Sequence, residues 1–365
     1  MSLLDRVPEY IRSLVPYEPG KPIEEVEREY GIEDSIKLAS NENPLGPSPK
    51  ALQALSARLG QLHLYPDGDC FYLKRALAAK LGVAEDRLIF GNGSNEIIEL
   101  VVRTFMRPDD EAVMAHRAFV VYRLVVQANG GSCKIVPLKN FTHDLDAMAE
   151  AVTARTRIIF LANPNNPTGT IYGKEQWEKF LGRIGPDILI VADEAYFEYV
   201  ADSDYPNSLA YQENGKAILT LRTFSKLYGL AGLRIGYGIG PKDLVGWMHR
   251  VRQPFNVNAA AQWAALAALE DGEHVKRTLD LNREGMAYLK REIEKLGLEQ
   301  VPSRANFILL RVGDGGTVFK RLLQRGIIVR PMAAYELPEY IRVTVGRMKE
   351  NDRFINELKD IINRR

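Results

Sequence analysis

The chain has 365 residues, 46% of them hydrophobic and 26% charged, the composition of a folded protein long enough for two domains. Its 48 lysines and arginines against 47 aspartates and glutamates leave a formal charge of +1, so the balance gives no general pull toward nucleic acid or a membrane surface. No apolar run is long enough to span a bilayer, Cys70 and Cys133 read as reduced thiols, and the start M-S-L-L-D-R-V-P lacks a signal-like pattern; cytoplasmic residence is the expectation.

In chain order, short helices are expected near 4–14 and 23–30, separated by prolines, and then a short strand at 36–39. The proline-rich stretch I-K-L-A-S-N-E-N-P-L-G-P-S-P reads as an ordered loop. Helical patterns at 50–60 and 73–81 flank the turn that holds Tyr65 and Pro66. The strand L-I-F at 88–90 runs into G-N-G-S-N-E and an apolar helix, an order that points unpaired backbone N–H groups at an anion. An ordinary helix cap explains the same residues locally.

From 111 onward strand-like and helix-like stretches alternate: E-A-V-M-A, a helix holding Phe119 and Tyr122, then G-S-C-K-I-V-P-L and a helix at 144–152. Three nearly continuous apolar runs follow, R-I-I-F-L-A, D-I-L-I-V-A and A-I-L-T-L, as a parallel sheet covered on both faces requires. N-P-N-N-P-T-G, D-E-A-Y and S-K stand just after them, where open α/β sheets form their crevice. R-I-G-Y-G-I-G reads as a further, antiparallel strand, and helices are expected at 242–251, 258–270 and 273–296. A smaller α/β unit with strands near 305–312, 326–331 and 340–346 ends the chain.

Lys226 follows a buried strand, an unusual place for an ammonium unless chemistry uses it. A Schiff-base lysine for a pyridoxal cofactor needs a carboxylate at the ring nitrogen, and Asp193 is placed to supply it. Asn166 and Tyr196 can serve the ring oxygen and Phe119 its face, while Gly93, Ser94, Asn95, Ser225 and Arg234 suit a phosphate. Singly, each has a bland reading as turn, cap, core or surface residue; together they favour a site.

These segments, S-N-E-N-P-L-G-P-S-P, Y-P-D-G, G-N-G-S-N-E, N-P-N-N-P-T-G, D-E-A-Y and T-F-S-K-L-Y-G-L-A-G-L-R-I-G-Y, resemble the aspartate-aminotransferase-type (fold type I) pyridoxal-phosphate enzymes over nearly the whole chain. With G-I-I-V-R-P and Y-I-R-V-T-V-G they are similar to the histidinol-phosphate aminotransferase subfamily. The resemblance implies a large domain (36–272) with a mostly parallel seven-stranded sheet sandwiched by helices, a small C-terminal domain (273–365), and an N-terminal segment (1–35) packed with the small domain. It implies pyridoxal 5'-phosphate as cofactor, Lys226 as the catalytic base, and ping-pong exchange with 2-oxoglutarate. Tyr65 is expected to reach the cofactor phosphate of a partner subunit, which implies a homodimer. Tyr17, Asn43, Arg330 and Arg342 are expected at the substrate. The stretch A-H-R-A-F departs from the family's usual P-T-F or P-T-Y.

An aromatic amino-acid aminotransferase is the nearest rival, and a racemase, decarboxylase or lyase on the same scaffold a weaker one. A non-enzymatic regulator that keeps the fold is a third reading, disfavoured by the complete Asn166, Asp193, Tyr196 and Lys226 set. The G-N-G-S-N-E loop lacks the dinucleotide-binding form. No metal is expected, since His63, His116, His143, His249 and His274 lack ligand spacing.

Overall fold

The computed structural model describes residues 2–17, 19–213 and 215–363. Seven strands form the central sheet: β1 (Leu88–Gly91), β2 (Glu111–Ala115), β3 (Ser132–Val136), β4 (Thr156–Ala162), β5 (Leu189–Asp193), β6 (Ile218–Thr223) and β7 (Gly236–Ile239). Their order across the sheet is β1-β7-β6-β5-β4-β2-β3. Only β7 runs against the rest, as its Gly-rich sequence was read to do. β1, β2, β5, β6 and β7 are buried throughout, because helices cover both faces.

The helix Ser94–Phe105 buries Ile97, Ile98, Leu100, Val101 and Val102 against this sheet. A helix over Lys174–Arg183, where the sequence reading placed no element, buries Trp177 and Phe180. Gln176 Oε1 accepts from the Gly173 N–H at 3.0 Å and fixes the start of that helix. Beneath the sheet end, Glu194 takes two bonds from Arg222, at 3.0 and 2.8 Å, and both residues are buried.

The helix Gly272–Lys295 leads to a second sheet, in which Phe307–Arg311 and Tyr340–Thr344 pair antiparallel and Arg330–Pro331 joins the far edge. Helices Gly315–Leu323 and Met348–Asn363 close its core on Ile308, Leu310, Ile341, Val343, Phe354 and Leu358.

Four placements differ from the expected layout. The helix expected over 4–14 is a 3-10 turn, Leu3–Arg6, and a short helix, Glu9–Arg12, because Pro8 interrupts it. The 1–35 segment divides: Ser13 accepts a bond from Gln127 on the large unit at 2.9 Å, while Val26 of the helix Ile23–Tyr30 packs with Leu323 and Ile328 of the small one. Residues 36–37, assigned to the large domain, pair in parallel with Ile327–Ile328. Phe119 precedes its helix, which spans Val121–Ala128.

Candidate active site

The carboxyl ends of the parallel strands converge on one cavity of about 390 Å³. Gly93, Ser94, Asn95, Phe119, Asn166, Asp193, Tyr196, Ser225, Lys226 and Arg234, ten residues from loops scattered over the chain, all line it.

Lys226 Nζ donates to the Ser40 carbonyl at 3.0 Å and lies 5.8 Å from the centre of the Tyr196 ring. Burial, and next the charge of Arg342, push its ammonium down to about 8. Asp193 accepts from the Tyr122 hydroxyl at 2.5 Å and from the Ala195 N–H at 3.1 Å. Burial raises this carboxyl above its ordinary range, and the Tyr122 bond works against the rise. Burial likewise lifts the Tyr196 phenol to about 12, while its oxygen accepts from Asn41 Nδ2 at 2.9 Å.

At the other end of the cavity, Gly93 caps the helix Ser94–Phe105 with φ +74° and without a side-chain cap. A Cβ there would stand 2.6 Å from the Arg234 guanidinium, so glycine lets the cation approach the helix start. Gly236 is required for a similar reason: its Cβ would fall 2.4 Å from the Ser94 nitrogen. Helix N–H groups, an arginine and the Ser225 hydroxyl together make a phosphate cradle. A buried carboxyl whose proton is stabilised by burial is what a protonated ring nitrogen would relieve. The donor set therefore fits pyridoxal phosphate: Gly93, Ser94, Asn95, Ser225 and Arg234 could hold the phosphate, Asp193 could face the ring nitrogen, Asn166 and Tyr196 the ring oxygen and Phe119 the ring face, and Lys226 could reach the aldehyde.

The expected substrate residues separate. Arg342 is buried, donates to Asn166 Oδ1 at 2.5 Å and to the Ala39 carbonyl at 2.7 Å, and keeps a buried Nε with no partner among the described residues. Burial lowers its pKa. Arg330 stands opposite it across the strand pair, 5.5 Å from the centre of the Tyr17 ring. The Asn43 side chain makes three hydrogen bonds. Its amide donates to the Leu227 carbonyl at 2.8 Å and Thr278 Oγ1 at 3.1 Å, and its oxygen accepts from the Leu45 N–H at 2.9 Å. The side chain pins the loop behind Lys226, and like Tyr17, Arg330 and Arg342 it is not among the residues that line the cavity. Tyr65 is 83% exposed, stacks on Phe255 at 4.9 Å, and lines a different groove.

Sequence reasoning missed several neighbours. Tyr122 was read only as a helix residue, yet it lines the cavity and its hydroxyl donates to Asp193. Thr223 and Glu42 line the cavity, and Asn41, in left-handed backbone at φ +55°, bridges Tyr196 to Thr344 of the small unit. The signal for Asn41 and Glu42 lay in S-N-E-N-P itself. Among the described residues no group of three or more His, Cys, Asp or Glu could hold a metal, and no helix is long and apolar enough to cross a membrane.

Known proteins share this arrangement. The family described as aminotransferase class I and II matches residues 33–358. The histidinol-phosphate aminotransferase of Moorella thermoacetica is 52% identical over 97% of this chain and 92% of its own length. That of Methylobacillus flagellatus is 48% identical over 100% and 99% respectively. A crystal structure of the Sinorhizobium meliloti histidinol-phosphate aminotransferase, solved with pyridoxal-5'-phosphate, is similar with a TM-score of 0.90 at 28% identity, over 98% of both chains. With its cavity at the strand ends and its match spanning both sheets, the chain belongs to the class I and II aminotransferases.

Proposed function

We propose that this chain is a pyridoxal-phosphate-dependent histidinol-phosphate aminotransferase of histidine biosynthesis, exchanging an amino group between L-histidinol phosphate and 2-oxoglutarate. The observation that carries the reading is the Arg342–Asn166 bond of 2.5 Å, which joins a buried anion-binding fork to the residue facing the ring oxygen. Relatives bearing that activity, at 52% and 48% identity over nearly full length, support the choice of substrate.

The cofactor supplies an aldehyde carbon for the amino group and a ring that takes up the electrons left when a proton leaves the neighbouring carbon. The protein's part is to hold groups and move that proton. Lys226, lowered to about 8 by burial and the Arg342 charge, gives up its proton more easily than an exposed lysine and would be the base that takes the proton and returns it. Asp193 would face the ring nitrogen and favour its protonated form, with Tyr122 orienting the carboxylate through its hydroxyl. Asn166 and Tyr196 would hold the ring oxygen, and the Gly93–Asn95 turn with Ser225 and Arg234 would anchor the phosphate. Arg330 and Arg342 receive the substrate anion, a phosphate in one half-reaction and a carboxylate in the other.

Tyr65 belongs, in this reading, to the partner's site in a homodimer. Its 83% exposure supports this, as do the exposed Leu62, Leu64, Phe71 and Tyr72 nearby, an apolar face of the kind that a second copy covers. The two unpaired cysteines accord with a reducing, cytoplasmic setting. A transamination panel tests the function: purified protein with histidinol phosphate, phenylalanine, tyrosine and aspartate as donors and 2-oxoglutarate as acceptor. The highest kcat/KM is expected for histidinol phosphate; a preference for phenylalanine or tyrosine overturns the assignment.

A further inference from the structure

Residues 116–120 join β2 to the helix Val121–Ala128 and hold most of the stretch A-H-R-A-F (115–119) that departs from the family pattern. Arg117 takes left-handed backbone there at φ +59°, an uncommon conformation for a side-chain-bearing residue that must be held by its surroundings. Its carbonyl accepts from Asn165 Nδ2 at 3.2 Å. Its guanidinium crosses to the small unit and donates to the Glu336 carbonyl at 3.1 Å. The next residue back repeats the crossing: His116 Nε2 lies 3.1 Å from Glu336 Oε2. Glu336, itself left-handed at φ +56°, ends the turn Ala333–Tyr335, which follows directly on the Arg330–Pro331 strand.

These contacts close a circuit. Arg117 is two residues from Phe119; Glu336 is six from Arg330; Arg330 stands opposite Arg342; Arg342 bonds Asn166; and Asn165 returns to Arg117. Burial raises the Tyr335 phenol above its ordinary value, and the charge of Arg342 works against that rise. We propose that Arg117 is a positioning residue, which ties the loop bearing Phe119 to the 333–336 turn and so sets the spacing between the ring face and the two substrate arginines. This rests on reading the cavity as the active site. Because the arginines hold the anion in ground state and transition state alike, a loosened tie raises KM more than it lowers kcat.

The test uses the cofactor-loaded enzyme and three variants. Arg117→Gly keeps the left-handed backbone and removes the guanidinium, Arg117→Lys restores a cation, and His116→Ala removes the second crossing. For Arg117→Gly, KM for glutamate and for histidinol phosphate is expected to rise about tenfold, with kcat changing less than about twofold. Amide hydrogen exchange in residues 333–337 is expected to quicken about fivefold while β5 stays protected. The lysine variant should recover part of both effects, and His116→Ala should show both more weakly. Unchanged KM and exchange overturn the proposal, as does loss of cofactor with the 333–337 amides unaffected. Wild-type protein inactive on every donor sinks the substrate reading alone, and the exchange response still decides the tie.

Discussion

The Tyr122 hydroxyl donates to Asp193 Oδ2 over 2.5 Å, and its ring stacks on Phe160 with centroids 4.7 Å apart. A fully buried phenol thus holds a carboxyl whose pKa burial raises, and its bond works against that rise. Tyr122→Phe removes a proton donor without leaving a large cavity. Loss of a hydrogen bond to a charged group of this kind costs about 1.5–3 kcal/mol, so kcat should fall about tenfold or more. The sign with pH follows: without Tyr122 the Asp193 pKa rises further, so the deficit grows as pH falls. A kcat profile that is parallel to wild type at every pH argues against this role.

Lys226→Ala should lose transamination by at least a hundredfold, about the lower range for removing a positioned base. The same variant should lose the absorbance of a cofactor joined to the protein. Normal turnover in this variant would sink the assignment of the site.

The lowered Lys226 pKa also predicts a stability effect in cofactor-free protein. Between the folded value of about 8 and the ordinary 10.5, the unfolded chain binds more protons at this position than the folded one. Stability contributed by this position therefore rises with pH across that window, and the penalty is fully present below it. Thermal melts of wild type and Lys226→Met should differ most below pH 8 and converge toward pH 10.5. A difference that is constant with pH would show that Lys226 titrates normally.

Arg342→Lys keeps the charge but loses the fork that reaches both Asn166 and the Ala39 carbonyl. KM for both anionic substrates should rise about tenfold or more, by the worth of charge-assisted bonds. Equal KM values in the two enzymes would remove Arg342 from the substrate.

The Glu194–Arg222 pair predicts a stability change and no change in chemistry. Arg222→Met leaves a buried carboxylate without its partner, a loss of about 3–5 kcal/mol. Urea unfolding reads it directly; a loss below about 1 kcal/mol would mean that Ser208, which gives Glu194 both its N–H and its hydroxyl, already satisfies the carboxylate.

Much of this arrangement was legible in the sequence because the strands announce themselves. Apolar runs at 157–162, 187–192 and 217–221 became β4, β5 and β6, and the residues just past them met in one cavity, since parallel strands all end on one side. What was hidden depends on which way a side chain turns. Asn43 and Asn41 stand two apart in one loop, yet one pins Leu227 and the other reaches Tyr196. The helix Lys174–Arg183 escaped notice because its charged face masks Trp177 and Phe180. Tyr122 could not be matched to Asp193, 71 residues on, without the sheet that brings them together.

β7 lies between β1 and β6, and β1 has no other strand partner. The glycine that makes room for the Ser94 nitrogen is therefore synthesised some 140 residues after the helix it serves. During translation β1 must wait, one edge unzipped, until the chain has doubled back past residue 236. A nascent chain halted before that point has Ser94 and Asn95 but neither Arg234 nor Gly236 to complete the cradle. The residues proposed for the phosphate are therefore complete only once β7 exists to pair with β1.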